Sequence, residues 1–372
     1  MSRLIYVHKS LNAKLADQVD WKPQWKAKNP LLTEDLATDG WPDFFEGLLE
    51  RGVVDHVTAV IESARGMGRK DIGNLECYVI PNLNVLYDMM KPGDIFFMRG
   101  SYKWWIPFVT DLNKRKHWII FYAAGTRRNF WPQWDIVLYE YSKKAQGARG
   151  KLYMPFNKPI NNKLFRYEEK EMHYDLCIGA SKIYDTKQQW RFVDAALAYR
   201  RKYGEDLKCV LPGVVRQSKE TMRMLDLIKT AKLHVDMPGY VSRHNLANIL
   251  NMSKIFGHHC TGQNDRGPLE AMATGVPLLT LRDSGYCYAP WMTQDKDCCH
   301  IATRPESPAK LAEDIHQWLP AAGTKDTRQY IADYTAANND IDFTYEQFEK
   351  LFSHIKAIGQ PNRAKLIKAF TT

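Results

Sequence analysis

The sequence predicts an α/β protein built from two doubly wound parallel sheets. Three observations lead there. Short β-rich apolar runs alternate with stretches of helical periodicity from one end of the chain to the other. The alternation pauses once, at residues 151–165 (KLYMPFNKPINNKLF), where two prolines and three asparagines break both periods, and then restarts. A length of 372 residues with 45% hydrophobic and 12% aromatic side chains is enough for two packed cores.

The first half is expected to contain strands at Leu4–His8, His56–Ile61, Asp94–Met98, Trp118–Ala123 and Asp135–Tyr139. Between the first two, Phe44, Phe45, Leu48 and Leu49 mark one face of a helix closed near Gly52. This gives a first domain over residues 1–150, with 151–165 as the linker. The second domain, 166–358, opens with a strand at Tyr174–Gly179, a helix at Gln189–Tyr203 and a strand at Lys208–Leu211. Late helices are expected at Pro308–Leu319, Arg328–Ala337 and Tyr345–Ile358, with 359–372 as a terminal helix or tail. Two such domains are expected to face each other across a cleft, with ligands outside the carboxyl ends of the strands.

The longest apolar run, around Trp118–Gly125, is far shorter than the roughly 18 residues of a membrane span. The opening MSRLIYV suits a first strand better than a secretory signal. Seven cysteines without a C-x-x-C pair suit reduced thiols in a cytoplasm and no zinc ribbon. His258-His259-Cys260 lacks a spaced partner pair, so no metal site is expected, and Cys298-Cys299 reads as core.

The most informative run is Asn264–Thr280, NDRGPLEAMATGVPLLT. Gly267-Pro268 suits a helix entry, Leu269–Ala273 a helix with Glu270 in its first turn, Gly275 its end, and Val276–Thr280 a buried strand. The segment Glu270-Ala271-Met272-Ala273-Thr274-Gly275-Val276-Pro277 resembles the donor-site signature of the large retaining nucleotide-sugar glycosyltransferase family, which has the GT-B fold of two Rossmann-like domains. His234–Ser242, Asp297–Ala302 and Phe343–Glu346 are similar to that family's neighbouring segments, and Gly179 with Lys182 and Lys187 mirrors a glycine strand-end followed by two cations.

The resemblance implies a nucleotide-diphosphate sugar, such as a UDP-sugar, as co-substrate, with no other cofactor required. It implies Glu270 on the ribose hydroxyls, a pairing a carboxylate suits because it accepts from a vicinal diol. Lys182 and Lys187 would stabilise the departing diphosphate, and His259, Arg266, Gly267 and Gly285 would complete the donor site. The family's second acid falls at Gly262, leaving Asp265 beside Glu270 as the nearest catalytic candidate. Its N-terminal Gly-Gly and later His are absent: the loops read Lys9-Ser10-Leu11-Asn12 and Ala123-Ala124-Gly125-Thr126.

The acceptor is approached through charge. The chain carries 52 Lys+Arg against 42 Asp+Glu, a net +10. Residues 91–151 hold twelve of those cations, four acids and five of the eleven tryptophans. Lys103-Trp104, Arg115, and Arg127-Arg128 with Trp131 combine cations with aromatic rings, as phosphate contact plus base stacking requires. A polyanionic acceptor is therefore expected. Hydroxymethylated DNA, as modified by phage enzymes in a host cytoplasm, is placed slightly ahead of a lipid-linked or envelope glycan met at the inner membrane surface. The third reading is a sugar-nucleotide- or nucleic-acid-binding protein without catalysis.

Overall fold

The structure is a computed structural model that describes residues 3–10, 40–63, 67–69, 71–100, 102–122, 132–139, 151–179, 182–183, 187–215, 218–259, 266–281, 288–302 and 307–371. The chain divides into two compact units. One comprises residues 1–161 and 340–372, and the other residues 162–339.

In the first unit the elements run β1 (Arg3–Ser10), α1 (Gly40–Glu50), β2 (His56–Glu62), β3 (Gly68–Arg69), β4 (Glu76–Ile80), β5 (Ile95–Arg99), α2 (Ile106–Lys114), β6 (Trp118–Tyr122), β7 (Ile136–Tyr139) and β8 (Leu152–Pro155). They form one eight-stranded sheet in the order β3-β4-β2-β1-β5-β6-β7-β8. Every pairing is parallel except β3 with β4. The central strands are apolar along their length because both faces are covered. Tyr6, Phe97 and Ile120 pack on one side with Trp41, Phe44 and Phe45 of α1. Phe96, Met98 and Phe121 pack on the other with Trp105, Phe108 and Trp134.

Two boundaries differ from the sequence expectation. Residues 152–155, expected in the linker, form the edge strand β8, with Leu152 and Met154 buried. Proline ends that strand at an edge, where its missing N–H is tolerated. The helix at Ile341–Ile358, expected in the second domain, belongs to the first unit together with the following helix Arg363–Thr371. Phe44 stacks on Tyr345 at 5.4 Å and 8°, and Phe348 meets Phe44 edge-on. Gly47 makes room for this, since a Cβ there would lie 2.2 Å from the Tyr345 hydroxyl. Trp118 Nε1 donates to the Gly359 carbonyl (2.8 Å), and Arg363 Nε donates to buried Asp135 (2.6 Å). Periodicity reports that a helix has an apolar stripe but not which sheet the stripe covers.

The second unit runs β9 (Tyr174–Ile178), β10 (Lys182–Ile183), α3 (Gln189–Tyr203), β11 (Cys209–Pro212), β12 (Val214–Val215), α4 (Lys219–Thr230), β13 (Val235–Gly239), α5 (Arg243–Asn251), β14 (Ser253–His258), α6 (Arg266–Ala273), β15 (Leu278–Thr280), α7 (Pro290–Gln294), β16 (Cys299–Ile301), α8 (Pro308–Ala322) and α9 (Lys325–Asn338). Its six-stranded parallel sheet has the order β13-β11-β9-β14-β15-β16, and β10 pairs with β12. The chain therefore builds outward from β9 in one direction and then resumes on the other side at β14. The crevice beyond the carboxyl ends of β9 and β14 is the topological switch point, where doubly wound sheets bind ligands.

Among the described residues no helix is long and apolar enough to cross a membrane. Cys298 and Cys299 are buried, as expected of core residues.

Candidate functional site

At the switch point the backbone is drawn together around one phenyl ring. Phe256 lies in β14, and a Cβ on Gly179 would fall 1.9 Å from its Cζ. Only glycine lets the end of β9 lie on that ring. A Cβ on Gly267, at the start of α6, would meet the same atom at 3.4 Å. One ring thus sets the β9 strand-end and the amino terminus of α6 side by side, and a helix amino terminus favours an anion.

Glu270 lies one turn into α6 and is 2% exposed. The helix starts at Arg266, two residues ahead of Pro268, so Glu270 stands beyond the first turn expected for it. Its Oε1 accepts from Arg243 Nη2, and Arg266 Nε lies 3.6 Å from the same oxygen. Arg243 is the first residue of α5, capped by Ser242, whose hydroxyl accepts from Asn245 N (3.2 Å). The Arg243 guanidinium also covers the Phe165 ring at 4.8 Å, a cation–π contact that holds it over Glu270. A buried carboxylate in such a position requires cationic company.

His258 and His259 follow at the end of β14, both buried. His258 Nδ1 lies 2.7 Å from the Tyr288 hydroxyl, and that hydroxyl also accepts from Thr280 at 3.1 Å. Burial, then the charges of Lys187 and His259, hold the His258 pKa well below its usual 6.5, so the ring is neutral at physiological pH. Lys182 lies in β10, the next strand after Gly179, and Lys187 lies just ahead of α3.

Behind the site, Arg328 of α9 is 1% exposed and donates to the carbonyls of Asn251 (2.8 Å) and Thr274 (3.1 Å). It fastens the ends of α5 and α6 to each other. Gly275 closes α6 with φ +76°, and a Cβ there would lie 2.4 Å from the Arg328 carbonyl oxygen.

The structure therefore gathers His259, Arg266, Gly267 and Glu270 at one edge of the second sheet. Asp265 and Gly285 lie outside the described residues, as do Arg127, Arg128 and Trp131. In the first unit, Lys103 and Trp104 follow the carboxyl end of β5, and Trp104 is 47% exposed with Nε1 donating to Glu62 (3.1 Å). Arg115 does not join them. It precedes β6 at the opposite edge of the sheet, paired with Asp111 (2.6 Å) and lying over Tyr87. Trp105, Trp118 and Trp134 are buried core rather than surface. Sequence reasoning missed Arg243 and Arg328. The first had a faint signal, a cation directly after a Ser N-cap, whereas the second is an ordinary helical arginine until the fold buries it.

Residues 162–337 match the family described as "Glycosyl transferases group 1". Among curated proteins no sequence matches the chain. Solved structures resemble it throughout. The alpha,alpha-trehalose 6-phosphate synthase from Burkholderia multivorans aligns with TM-score 0.67 and 11% identity over 97% of this chain and 100% of that one. Trehalose-6-phosphate synthase from E. coli, bound with UDP-2-fluoro glucose, aligns with TM-score 0.60 and 11% identity over 93% and 98%. TarM aligns with TM-score 0.58 and 14% identity over 73% of this chain, which spans 57% of that protein. The fold is GT-B, and the match to the glycosyl transferases group 1 family spans nearly all of the second unit.

Proposed function

We propose that this protein transfers a sugar, with retention of configuration, from a nucleoside-diphosphate sugar to an acceptor hydroxyl without a metal ion. The observation that carries this reading is the convergence of Glu270, Arg266 and Gly267 on the β9–β14 switch point, inside the segment that matches the family. The ribose hydroxyls donate to Glu270. The diphosphate lies against the amino terminus of α6, with Lys182 and Lys187 offsetting the charge that grows on it as the glycosyl bond breaks. His259 and Gly285 complete the site, and Asp265 is the second acid available to the sugar. The leaving phosphate itself takes the acceptor proton. That bond exchange balances without a protein base: the C1–O bond to phosphate breaks, the C1–O bond to the acceptor forms, and the acceptor proton goes to phosphate.

The acceptor sits on the first unit, and a hydroxymethylated base in DNA fits the cationic segment best. Lys103 meets phosphate there and exposed Trp104 offers a ring for stacking, and Arg127, Arg128 and Trp131 of the same cationic segment supply residue types of the same kind. Trp104 and Ile106 are both exposed in the same turn, and this favours, as a second reading, an acceptor held at a membrane surface. Incubation with a panel of nucleotide-sugars and hydroxymethylcytosine DNA, followed by mass spectrometry of the nucleosides, tests the first reading. A hexose mass gained by hydroxymethylcytosine is expected. No mass gain with DNA, together with transfer to lipid-linked glycan on anionic vesicles, would establish the second.

A further inference from the structure

The first sheet has a switch point of its own, and it is furnished. Its order β4-β2-β1-β5-β6 places the reversal between β1 and β5, so the crevice beyond their carboxyl ends is the expected ligand position in this unit. Three side chains stand there on adjacent strands. Arg99 pairs in register with Tyr122, and His8 follows Val7, whose partner is Met98. They share the face occupied by Tyr6, Phe97 and Trp41. His8 is also the additional residue of a β-bulge, since Val7 pairs with Val60 while Lys9 pairs with Ile61. Bulges re-aim side chains and are common beside sites.

The groups contact one another in a chain. Arg99 Nη1 donates to His8 Nδ1 (3.0 Å), and the Tyr6 hydroxyl lies 2.8 Å from the same nitrogen. The Arg99 guanidinium lies 5.6 Å from the Trp41 ring, which meets Tyr122 edge-on at 5.3 Å. Lys158, 6% exposed, places Nζ 5.9 Å from the Tyr122 ring. Among these groups, two neutral hydrogen-bond donors have no partner among the described residues: Trp41 Nε1 and the Tyr122 hydroxyl, on residues 0% and 1% exposed. A folded protein rarely leaves two such groups unsatisfied side by side. An indole N–H can only donate, so what completes it must be an acceptor. The buried carboxylate of the neighbouring strand does not serve. Glu62 is on the opposite face, where it accepts from Trp104 and Trp105.

We propose that Trp41, Arg99, Tyr122 and Lys158 form a binding site for an oxyanion, the phosphate or carboxylate group carried by the acceptor. Two neutral donors and two cations on one small volume match the several acceptor oxygens and the charge of such a group. The assignment to the acceptor rests on the glycosyl-transfer reading above; the anion site itself does not.

The test follows the indole 15N–1H resonances of the full-length protein during titration with inorganic phosphate and, separately, acetate. One resonance, identified by its loss in Trp41→Phe, is expected to shift saturably. The anion that shifts it at lower concentration gives the acceptor group, phosphate or carboxylate. The midpoint should rise at least tenfold in Arg99→Gln and Lys158→Gln and severalfold in Tyr122→Phe, a change of one oxygen that leaves the packing in place. Nucleoside-diphosphate affinity, which reads the second unit, should stay within twofold in these variants. A Trp41 resonance that neither anion moves, or an unchanged midpoint in all three variants, would overturn the proposal. Weak nucleotide binding in wild-type protein with an intact Trp41 response would count against the donor site alone.

Discussion

Arg243, the first residue of one helix, donates to Glu270, buried in another, and so grips the carboxylate proposed to meet the nucleotide. The two residues come from the helices that follow β13 and β14 of the second sheet, 27 positions apart. Arg266 approaches the same oxygen from its own helix. With one acid between two arginines, the trio carries a net positive charge toward a diphosphate. The Arg243 contact also fixes the carboxylate in a single orientation before any ligand arrives.

Replacing Arg243 should therefore act on nucleotide-sugar binding. In Arg243→Ala, KM for the nucleotide-sugar should rise about tenfold, roughly 1.4 kcal/mol, with kcat changed much less, and Arg243→Lys should recover part of the loss. Steady-state kinetics with varied donor concentration checks this. An equal fall in kcat with KM unchanged would move Arg243 from orienting the ligand site to the chemical step.

Gly275 should tolerate no side chain. Its φ of +76° and the 2.4 Å approach of a Cβ to the Arg328 carbonyl act together. Gly275→Ala should cost about 2–4 kcal/mol in chemical denaturation followed by a signal from the second unit. Gly204, also at positive φ but with nothing near its Cβ position, serves as control. Gly204→Ala should cost only about 1 kcal/mol.

Buried His258 should make the second unit sensitive to acid. Its pKa is depressed in the folded protein and near 6.5 in the unfolded chain. Below pH 6.5 the unfolded state binds the additional proton, so stability is complete above that pH and falls as pH drops. The slope should reach about 1.4 kcal/mol per pH unit. Melting temperatures between pH 7.5 and 5 check the trend, and His258→Asn should flatten it.

The terminal helices should be indispensable to the first unit. Removing residues 340–372 strips Phe44 of Tyr345 and Phe348, and Asp135 of Arg363. A fragment of residues 1–161 is expected to give the broad, non-cooperative melting of an incomplete core. Addition of residues 340–372 through a flexible linker should restore cooperative unfolding in circular dichroism.

The strands β1, β5 and β6 and the helix Gln189–Tyr203 were legible, because long apolar runs and clear 3.6-residue periods are local signals. Glu270 was legible through its run of neighbours. The destination of Ile341–Ile358 was not, since its stripe of Phe348, Leu351 and Phe352 suits any apolar sheet face. Arg243 and the Trp41–Arg99–Tyr122 group were hidden for a related reason. Their meaning arises from pairing between strands and loops distant in sequence, where no spacing rule applies. Arg115 misled because local charge does not tell which edge of a sheet a residue occupies.

The central claim is that Glu270 holds the ribose diol. It is tested most directly by a two-by-two calorimetric comparison, in chelator, of UDP and 2′,3′-dideoxy-UDP binding to wild-type and Glu270→Gln protein, with GDP and ADP taken in place of UDP if either binds more tightly. The account predicts that losing the diol and losing the carboxylate charge each weaken binding at least tenfold, and that both losses together weaken it little further. Independent, additive losses, or unchanged affinity in Glu270→Gln, would contradict it.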